Sequence, residues 1–215
     1  FITEDDNFSD YAFIVAPAYQ LIDQELVAKW QKYVENGGHL ILSCRTGQKD
    51  KNGHFFEANW SAPIVPLIGA DVEFFDMLVA DINGTIKAGD KTFQWNTWAD
   101  VLKPRPGTEV LATYEDQFYK GKAAAVSRKL GKGTITYIGV ESTDGTLERQ
   151  IVRTVYSRAK VAIEDLPKGV FVEWRDGFYV GVNYTNEPIN LSIPQGSKIL
   201  VGQNPLLPAQ AIIWK

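Results

Sequence analysis

The sequence contains one cysteine, Cys44, two histidines and one methionine among its 215 residues. A single cysteine cannot form an internal disulfide, which fits a reducing compartment and favours the cytoplasm without excluding export. One cysteine and two separated histidines give no zinc-ligand spacing, and the aspartates at positions 50, 71, 76 and 81 match no calcium loop. We therefore predict neither a metal site nor a cofactor.

The chain also lacks an excess of charge of one sign and any long apolar run. Its formal net charge is -4, and the 22 basic side chains are scattered among 26 acidic ones, so no basic surface is predicted for nucleic acid or an anionic membrane. No apolar run approaches the roughly 20 residues that cross a bilayer. Residues 1–10 are acidic and lack the basic start and apolar centre of a signal peptide. Neither nucleic acid nor a membrane is a predicted partner.

A β-α-β pattern is the first feature that the sequence does contain. Residues 11–16, Y-A-F-I-V-A, form an apolar run typical of a strand buried on both faces. Asp23 can cap the helix that follows, which has an apolar face at helical spacing and ends at Gly37-Gly38. Residues 39–43, H-L-I-L-S, give a second buried strand. This unit predicts a doubly wound α/β fold.

An antiparallel extension of the sheet is predicted after this unit. Hairpin strands are expected at 82–86 and 91–98, with turns at Asn83-Gly84 and at 88–90. Further strands are expected at 110–114, 123–128 and 134–140. An amphipathic helix over residues 146–159 then closes the α/β part.

From residue 165 the pattern changes to short alternating strands separated by two-residue turns, including D-G at Asp176-Gly177. Strands are expected at V-F-V-E-W-R, F-Y-V-G-V-N-Y, I-N-L-S-I-P, K-I-L-V-G and A-I-I-W. We predict two domains, an α/β domain over residues 1–164 and a small antiparallel β domain over residues 165–215.

Cys44 ends the second buried strand, in the stretch L-S-C-R-T-G-Q-K-D-K-N-G-H, with His54 ten residues later. A strained nucleophile elbow needs small residues two positions on either side, but Leu42 and Thr46 stand there and no helix is predicted directly after the thiol. A buried thiol at a strand end is the preferred interpretation. A stand-alone amidotransferase-like enzyme that uses Cys44 remains an alternative.

Aromatic residues make up 12% of the chain, with tryptophans in both halves: Trp60, Trp95, Trp98, Trp174 and Trp214. Aromatic rings stack on sugars, but they also pack in cores and protein interfaces. Packing is the preferred role for most of them, and a carbohydrate-binding module is a second alternative.

Several stretches resemble, in order, the trimerisation domain of the glycoside hydrolase family 42 β-galactosidases: Y-A-F-I-V-A-P-A-Y-Q-L-I-D, Y-V-E-N-G-G-H-L-I-L-S-C-R-T-G, P-L-I-G, W-A-D-V-L, V-L-A-T-Y with F-Y-K-G-K-A-A, and G-K-G-T-I-T-Y-I-G. The tail G-V-F-V-E-W-R-D-G-F-Y-V-G-V-N-Y-T-N-E-P resembles the small C-terminal β domain of that family. The resemblance implies a flavodoxin-like sheet, similar to class I glutamine amidotransferases but without their chemistry.

The resemblance also implies that the chain is the non-catalytic C-terminal part of a retaining β-galactosidase, which hydrolyses terminal β-D-galactosides. In that family both catalytic residues are glutamates on an N-terminal (β/α)8 barrel, and no residue of this chain matches their motifs. We therefore predict no catalytic residue and an inactive fragment. The implied partners are further copies in a homotrimer and the chain's own N-terminal barrel.

Arg45 and the loop over residues 47–54 follow the carboxyl end of a central strand, where doubly wound domains present functional loops. We predict that they meet a neighbouring subunit or its barrel, or shape the rim of a pocket. The candidate residues are Arg45, Lys49, His54 and Trp60. The sequence departs from the family at Cys44, where an aromatic residue is common, and this departure further weakens a catalytic thiol.

Overall fold

The computed structural model describes residues 1–79 and 81–215, which divide into two compact units, Phe1–Val161 and Ala162–Lys215. The division follows residue 161, whereas the sequence places the domain boundary after residue 164. The elements of the first unit are, in chain order, β1 (Phe13–Ala16), α1 (Gln24–Glu35), β2 (His39–Ser43), α2 (Val65–Ile68), β3 (Ala70–Asp76), β4 (Gly84–Ala88), β5 (Lys91–Pro104), β6 (Thr108–Tyr114), β7 (Ala123–Leu130), β8 (Gly133–Ile138), β9 (Val140–Ser142) and α3 (Thr146–Arg158).

The predicted β-α-β unit is confirmed as β1, α1 and β2, with β1 and β2 paired in parallel. A carboxylate oxygen of Asp23 accepts a hydrogen bond of 2.8 Å from the backbone N–H of Leu26, which caps the start of α1. The helix buries the face predicted from its spacing: Leu26, Trp30, Tyr33 and Val34. After α1 the chain passes directly under the ring of Tyr33 at Gly38, where a Cβ atom would overlap that ring.

The first unit is built on one mixed sheet with the strand order β1-β2-β8-β7-β6-β4-β5-β3, and β9 pairs with β5. Strands β1, β2 and β8 are parallel, and the other pairings are antiparallel, which confirms the antiparallel extension. Flavodoxin-like sheets place the first strand second in the order, whereas β1 here stands at one end. The flavodoxin-like assignment stays a prediction.

The two faces of this sheet bury separate cores. One face packs against α1 and includes Leu40, Leu42 and Tyr137, and the other packs against α3 and includes Ile41 and Ile138. Neighbouring residues of β2 therefore point to opposite cores, as expected for a strand buried on both sides. At the carboxyl end of β2, Ser43 pairs with Ile138 of β8, and β2 is the second strand from one end of the sheet. The prediction that the loop follows a central strand is therefore wrong, because the later strands all join the sheet on the β8 side.

The predicted turn at Asn83-Gly84 is wrong, because Gly84 is the first residue of β4 and pairs with Trp95 of β5. The other predicted turn, at residues 88–90, is confirmed, because Gly89 and Asp90 join β4 to β5. Gly84 is needed for close packing, because a Cβ atom there would overlap the indole of Trp95, a fully buried side chain. The N-G pair is typical of a hairpin turn, but here the glycine is explained by its packing against a residue of the neighbouring strand.

The second unit is a four-stranded antiparallel sheet with the order β10-β11-β13-β12. Its strands are β10 (Val170–Arg175), β11 (Phe178–Asn183), β12 (Ile199–Val201) and β13 (Ala211–Trp214). The predicted D-G turn is confirmed, with φ of 47° at Asp176 and 89° at Gly177. Its core contains Val170, Leu191, Leu206, Ile212 and Trp214.

The predicted strand over residues 189–194 is wrong. Only an isolated bridge between Ile189 and Leu206 forms in this segment. The side chain of Asn204 takes the place of a neighbouring strand, because its amide oxygen accepts from Leu191 N–H and its amide nitrogen donates to Leu191 C=O, each at 3.0 Å. A side chain thus satisfies backbone groups that a ladder would otherwise pair.

We expect Gly84→Ala to reduce the free energy of unfolding by about 1–3 kcal/mol, because the added methyl group overpacks the site against Trp95. Urea unfolding followed by circular dichroism measures the change. The control is the same substitution in a Trp95→Phe background, where the smaller ring leaves room and the loss should shrink. An equal loss in both backgrounds would contradict the packing explanation.

Candidate interaction site

The loop after β2 is held to the sheet by its own backbone and by buried polar groups. Thr46 is completely buried, and its hydroxyl donates a hydrogen bond of 2.6 Å to the backbone oxygen of Ser43. The backbone oxygen of Thr46 accepts from the hydroxyl of Ser61 at 2.9 Å. The N–H of Gly47 donates to the oxygen of Tyr19 at 3.0 Å. The loop is therefore an ordered part of the domain.

Lys49 and His54 lie in the outer part of this loop. Lys49 forms isolated bridges with Leu21 and with Phe55. A carboxylate oxygen of Asp50 accepts from the backbone N–H of His54 at 2.9 Å, and this bond is the main cause of the lowered pKa of Asp50. The imidazole of His54 is 80% exposed, with Nδ1 3.7 Å from Asp50. His54 thus faces solvent beside its own loop, and Cys44 is buried.

Four aromatic rings from the loop, β3 and β5 stack together, and we name them the aromatic stack: Phe55, Trp60, Phe75 and Trp98. The ring centroids of Phe75 and Trp98 are 4.6 Å apart at an interplanar angle of 5°, and those of Trp60 and Phe75 are 4.7 Å apart at 27°. Phe55 extends the stack at 5.7 Å from Trp60. Phe55 and Phe75 are 56% and 41% exposed, so the stack forms part of the surface.

Two cations cover opposite members of the aromatic stack. The guanidinium carbon of Arg45 lies 4.9 Å from the ring centroid of Trp98, and the amine of Lys49 lies 4.9 Å from that of Phe55. Both distances are within the range of cation–π attraction. The result is a partly exposed apolar surface with positive charge at both ends.

A buried carboxylate lies behind the aromatic stack. Asp100 of β5 is completely buried and accepts hydrogen bonds from the backbone N–H of Arg45 at 3.0 Å, the indole N–H of Trp98 at 2.9 Å and the hydroxyl of Tyr137 at 2.6 Å. Burial raises the pKa of Asp100, and the hydrogen bonds from Tyr137, Trp98 and Arg45 oppose that shift. The same carboxyl group thus contacts the loop, β5 and β8.

Cys44 has the surroundings of a structural thiol. Its side chain is buried, and its backbone N–H donates a hydrogen bond of 2.7 Å to the oxygen of Ile138. Burial raises the pKa of the Cys44 thiol, and the negative charge of Asp100 raises it further. A nucleophilic cysteine needs the opposite shift, because the thiolate is the reactive form. The geometry therefore gives no support to the alternative that Cys44 is a nucleophile.

Three of the four predicted site residues come together, namely Arg45, Lys49 and Trp60, and His54 lies apart on the exposed tip. Whether any of them meets a partner stays a prediction. Sequence reasoning missed Phe55, Phe75 and Asp100, which complete the arrangement. The stretch W-A-D carries a signal for Asp100, since a carboxylate inside an apolar strand requires donors, but the sequence does not say which donors.

In the described part of the chain, no group of three or more His, Cys, Asp or Glu side chains is arranged to hold a metal ion. None of the helices within residues 1–79 and 81–215 is long and apolar enough to cross a bilayer. The arrangement of loop, aromatic stack and cations is typical of surfaces that bind other proteins, because exposed aromatic and arginine side chains are enriched in such interfaces. The fold defines a mixed α/β domain, and this surface is a candidate for contact with a partner.

Comparison with known proteins identifies the family. The sequence profile described as the β-galactosidase trimerisation domain matches residues 1–164. β-Galactosidase BgaH of Haloferax lucentense is 28% identical over 203 residues, which are 94% of this chain and 30% of that protein. The chain belongs to the family of β-galactosidase trimerisation domains. Several curated relatives match most of this chain, and the chain spans about 30% of their length.

Solved structures share the fold. The polyextremophilic β-galactosidase of the Antarctic haloarchaeon Halorubrum lacusprofundi matches 99% of this chain and 32% of its own, with a TM-score of 0.86 and 26% identity. The β-galactosidase of Bacillus circulans sp. alkalophilus matches with a TM-score of 0.84 at 18% identity and shows the fold alone. These structures match the mixed α/β sheet and the small antiparallel sheet together.

We expect the thiol of Cys44 to react with N-ethylmaleimide at pH 7 at least about a hundredfold more slowly in the folded chain than in urea, because burial requires an opening reaction before attack. Mass spectrometry after timed quenching measures the rate. The unfolded chain, which should take up one label, is the control. Rapid labelling of the folded chain would show that the thiol is accessible.

The raised pKa of Asp100 predicts a pH dependence of stability. The folded state binds this proton more tightly than the unfolded state, so the stabilising contribution is complete below about pH 4 and is lost as the pH rises through the raised pKa. The free energy of unfolding of the natural chain, minus that of Asp100→Asn, should therefore fall as the pH rises above about 4, by at most about 1.4 kcal/mol per pH unit, and should level off once the pH exceeds the raised pKa.

Urea titrations of both chains at each pH measure this difference. The subtraction removes the contributions of carboxyl groups with lowered pKa values, such as Glu4, Asp71 and Glu109, because both chains contain them. A difference that stays constant, or that grows with pH, would contradict the prediction.

Proposed function

We propose that this chain is the assembly region of a β-galactosidase and that it joins three copies of the parent enzyme into a homotrimer. The family match over residues 1–164 is the observation that carries the proposal. The relatives named β-galactosidase are about three times as long as this chain, which supports a parent with a separate catalytic region. The chain's own residues contribute assembly and no catalytic group.

The parent, in this proposal, hydrolyses terminal β-D-galactosides with retention on an N-terminal (β/α)8 barrel and acts in the cytoplasm. The α/β unit is the flavodoxin-like part of that enzyme, and it requires no cofactor. Buried Cys44 supports a structural role for the end of β2, because a thiol with a raised pKa is a poor nucleophile.

The surface that we propose for subunit contact is the loop over residues 45–60 together with the aromatic stack. Exposed apolar side chains continue from Phe75 to Met77 and Val79, which are 59% and 66% exposed. They follow β3, the strand at one end of the sheet order, and exposed apolar surface of this kind is typical of interfaces. A three-fold ring uses heterologous contacts, so this surface would meet a different surface of the next subunit or its barrel.

We expect Arg45→Ala and Trp60→Ala in the full-length enzyme each to weaken the trimer by about 1–2 kcal/mol, because each removes part of the cation-capped aromatic surface. Multi-angle light scattering over a dilution series measures the mass. Alanine at position 45 keeps a non-glycine residue in the left-handed backbone, where φ is 68°, so the backbone cost is matched.

The control is Lys132→Ala, an exposed position in the turn before β8, at the end of that strand opposite to the loop, which should leave the dilution curve unchanged. The Michaelis constant for a β-galactoside, measured in parallel, detects a contribution to a pocket rim. Unchanged mass together with unchanged kinetics in both variants would remove this surface from the proposal. A full-length enzyme that is monomeric at all concentrations would remove the trimer itself.

A further inference from the structure

The carboxylate of Asp100 connects three elements that are far apart in sequence. One oxygen accepts from the backbone N–H of Arg45 in the loop and from the hydroxyl of Tyr137 on β8, and the other accepts from the indole of Trp98 on β5. The carbonyl oxygen of Asp100 accepts from the hydroxyl of Tyr114 at 3.0 Å. Every one of these donors is electrically neutral.

Among the described residues, no lysine, arginine or histidine forms an ion pair with Asp100. The nearby guanidinium of Arg45 lies over the ring of Trp98 instead. A buried carboxylate without a counter-ion is costly to desolvate, and the hydrogen bonds that it accepts offset part of that cost. An apolar side chain at this position would leave three buried donors without an acceptor. The aspartate therefore depends on its donors, and their positions depend on the aspartate.

The geometry suggests what the carboxylate contributes. Arg45 has φ of 68°, a left-handed conformation that is unfavourable for a residue with a Cβ atom and persists where surrounding contacts fix it. Asp100 bonds the N–H of that residue and also fixes the orientation of the Trp98 indole. These are the two partners of the cation–π contact at one end of the aromatic stack. One buried carboxylate thus holds both residues of the cation–π contact.

We propose that Asp100 is a positioning residue, whose carboxylate holds the Arg45 backbone and the Trp98 indole so that the cation-capped aromatic stack is formed before any partner binds. A surface that is already ordered loses less conformational freedom on association. The role in assembly rests on the proposed function, whereas the positioning is a property of the single chain and can be tested on it.

The test compares the natural 215-residue chain with Asp100→Asn by amide hydrogen exchange and by the indole N–H signals in nitrogen-15 spectra. Asparagine has the same size but presents an NH₂ group to one of the donors. We expect the Arg45 amide to exchange at least about tenfold faster and the Trp98 indole signal to move upfield. Trp98→Phe assigns that signal among the six tryptophans.

Tyr114→Phe is the matched control. It removes a buried hydrogen bond to the carbonyl of Asp100 and leaves the carboxylate and its three donors in place. The Arg45 and Trp98 signals should keep their natural values even where global stability falls. Equal changes in both variants at matched stability, or natural values in Asp100→Asn, would overturn the proposal.

Trp98→Leu tests whether the carboxylate or the stacking on Trp98 holds the Arg45 backbone. It also provides a test if Asp100→Asn does not fold. This variant removes the stacking partner of Arg45 but keeps the carboxylate. The Arg45 amide should remain protected from exchange. Loss of protection would mean that stacking on Trp98, and not the carboxylate, holds the Arg45 backbone, and the proposal would fail.

Light scattering of the full-length enzyme separates this proposal from the proposed function. If Asp100→Asn disturbs the Arg45 and Trp98 signals and also weakens the trimer, both proposals stand. Disturbed signals with an unchanged trimer would keep the positioning role and remove the surface from assembly. A weakened trimer with undisturbed signals would remove the positioning role and leave the assembly proposal intact.

Discussion

The buried carboxylate of Asp100 is the interaction on which the surface of the first unit depends. It accepts hydrogen bonds from the loop after β2, from β5 and from β8, and it lies near the carboxyl ends of β2 and β8, where that loop begins. Desolvation of a carboxylate is costly, and three donors at 2.6 to 3.0 Å offset part of that cost. The sheet, the loop and the aromatic stack are connected through one group.

Asp100 lies between a buried region and an exposed one. Behind Asp100 the strands are buried on both faces, and the two cores hold them in place. In front of it the aromatic stack reaches solvent, with Arg45 and Lys49 over its outer rings. A sheet that is buried on both faces therefore supports an exposed aromatic surface, and the thiol in the same region has a raised pKa, which makes it a poor nucleophile.

Local patterns in the sequence predicted the elements whose causes are local. The Asp23 cap, the buried face of α1 and the Asp176-Gly177 turn depend on residues within a few positions of each other, and all three are confirmed. The Asn83-Gly84 turn failed because Trp95 on the neighbouring strand requires a glycine there. The strand over residues 189–194 failed because the distant side chain of Asn204 pairs with its backbone.

Some features of the candidate site also follow from local sequence, and others depend on distant contacts. The sequence by itself determined the β-α-β unit, the position of the loop directly after β2 and the unsuitability of Cys44 as an elbow nucleophile, because these follow from periodicity and neighbouring residue types. Only the tertiary structure decided that Phe75 and Trp98 join Trp60, and that Asp100 bonds the backbone of Arg45. Those contacts join residues 15 to 55 positions apart, and their geometry is set by how the strands pair, which no local pattern contains.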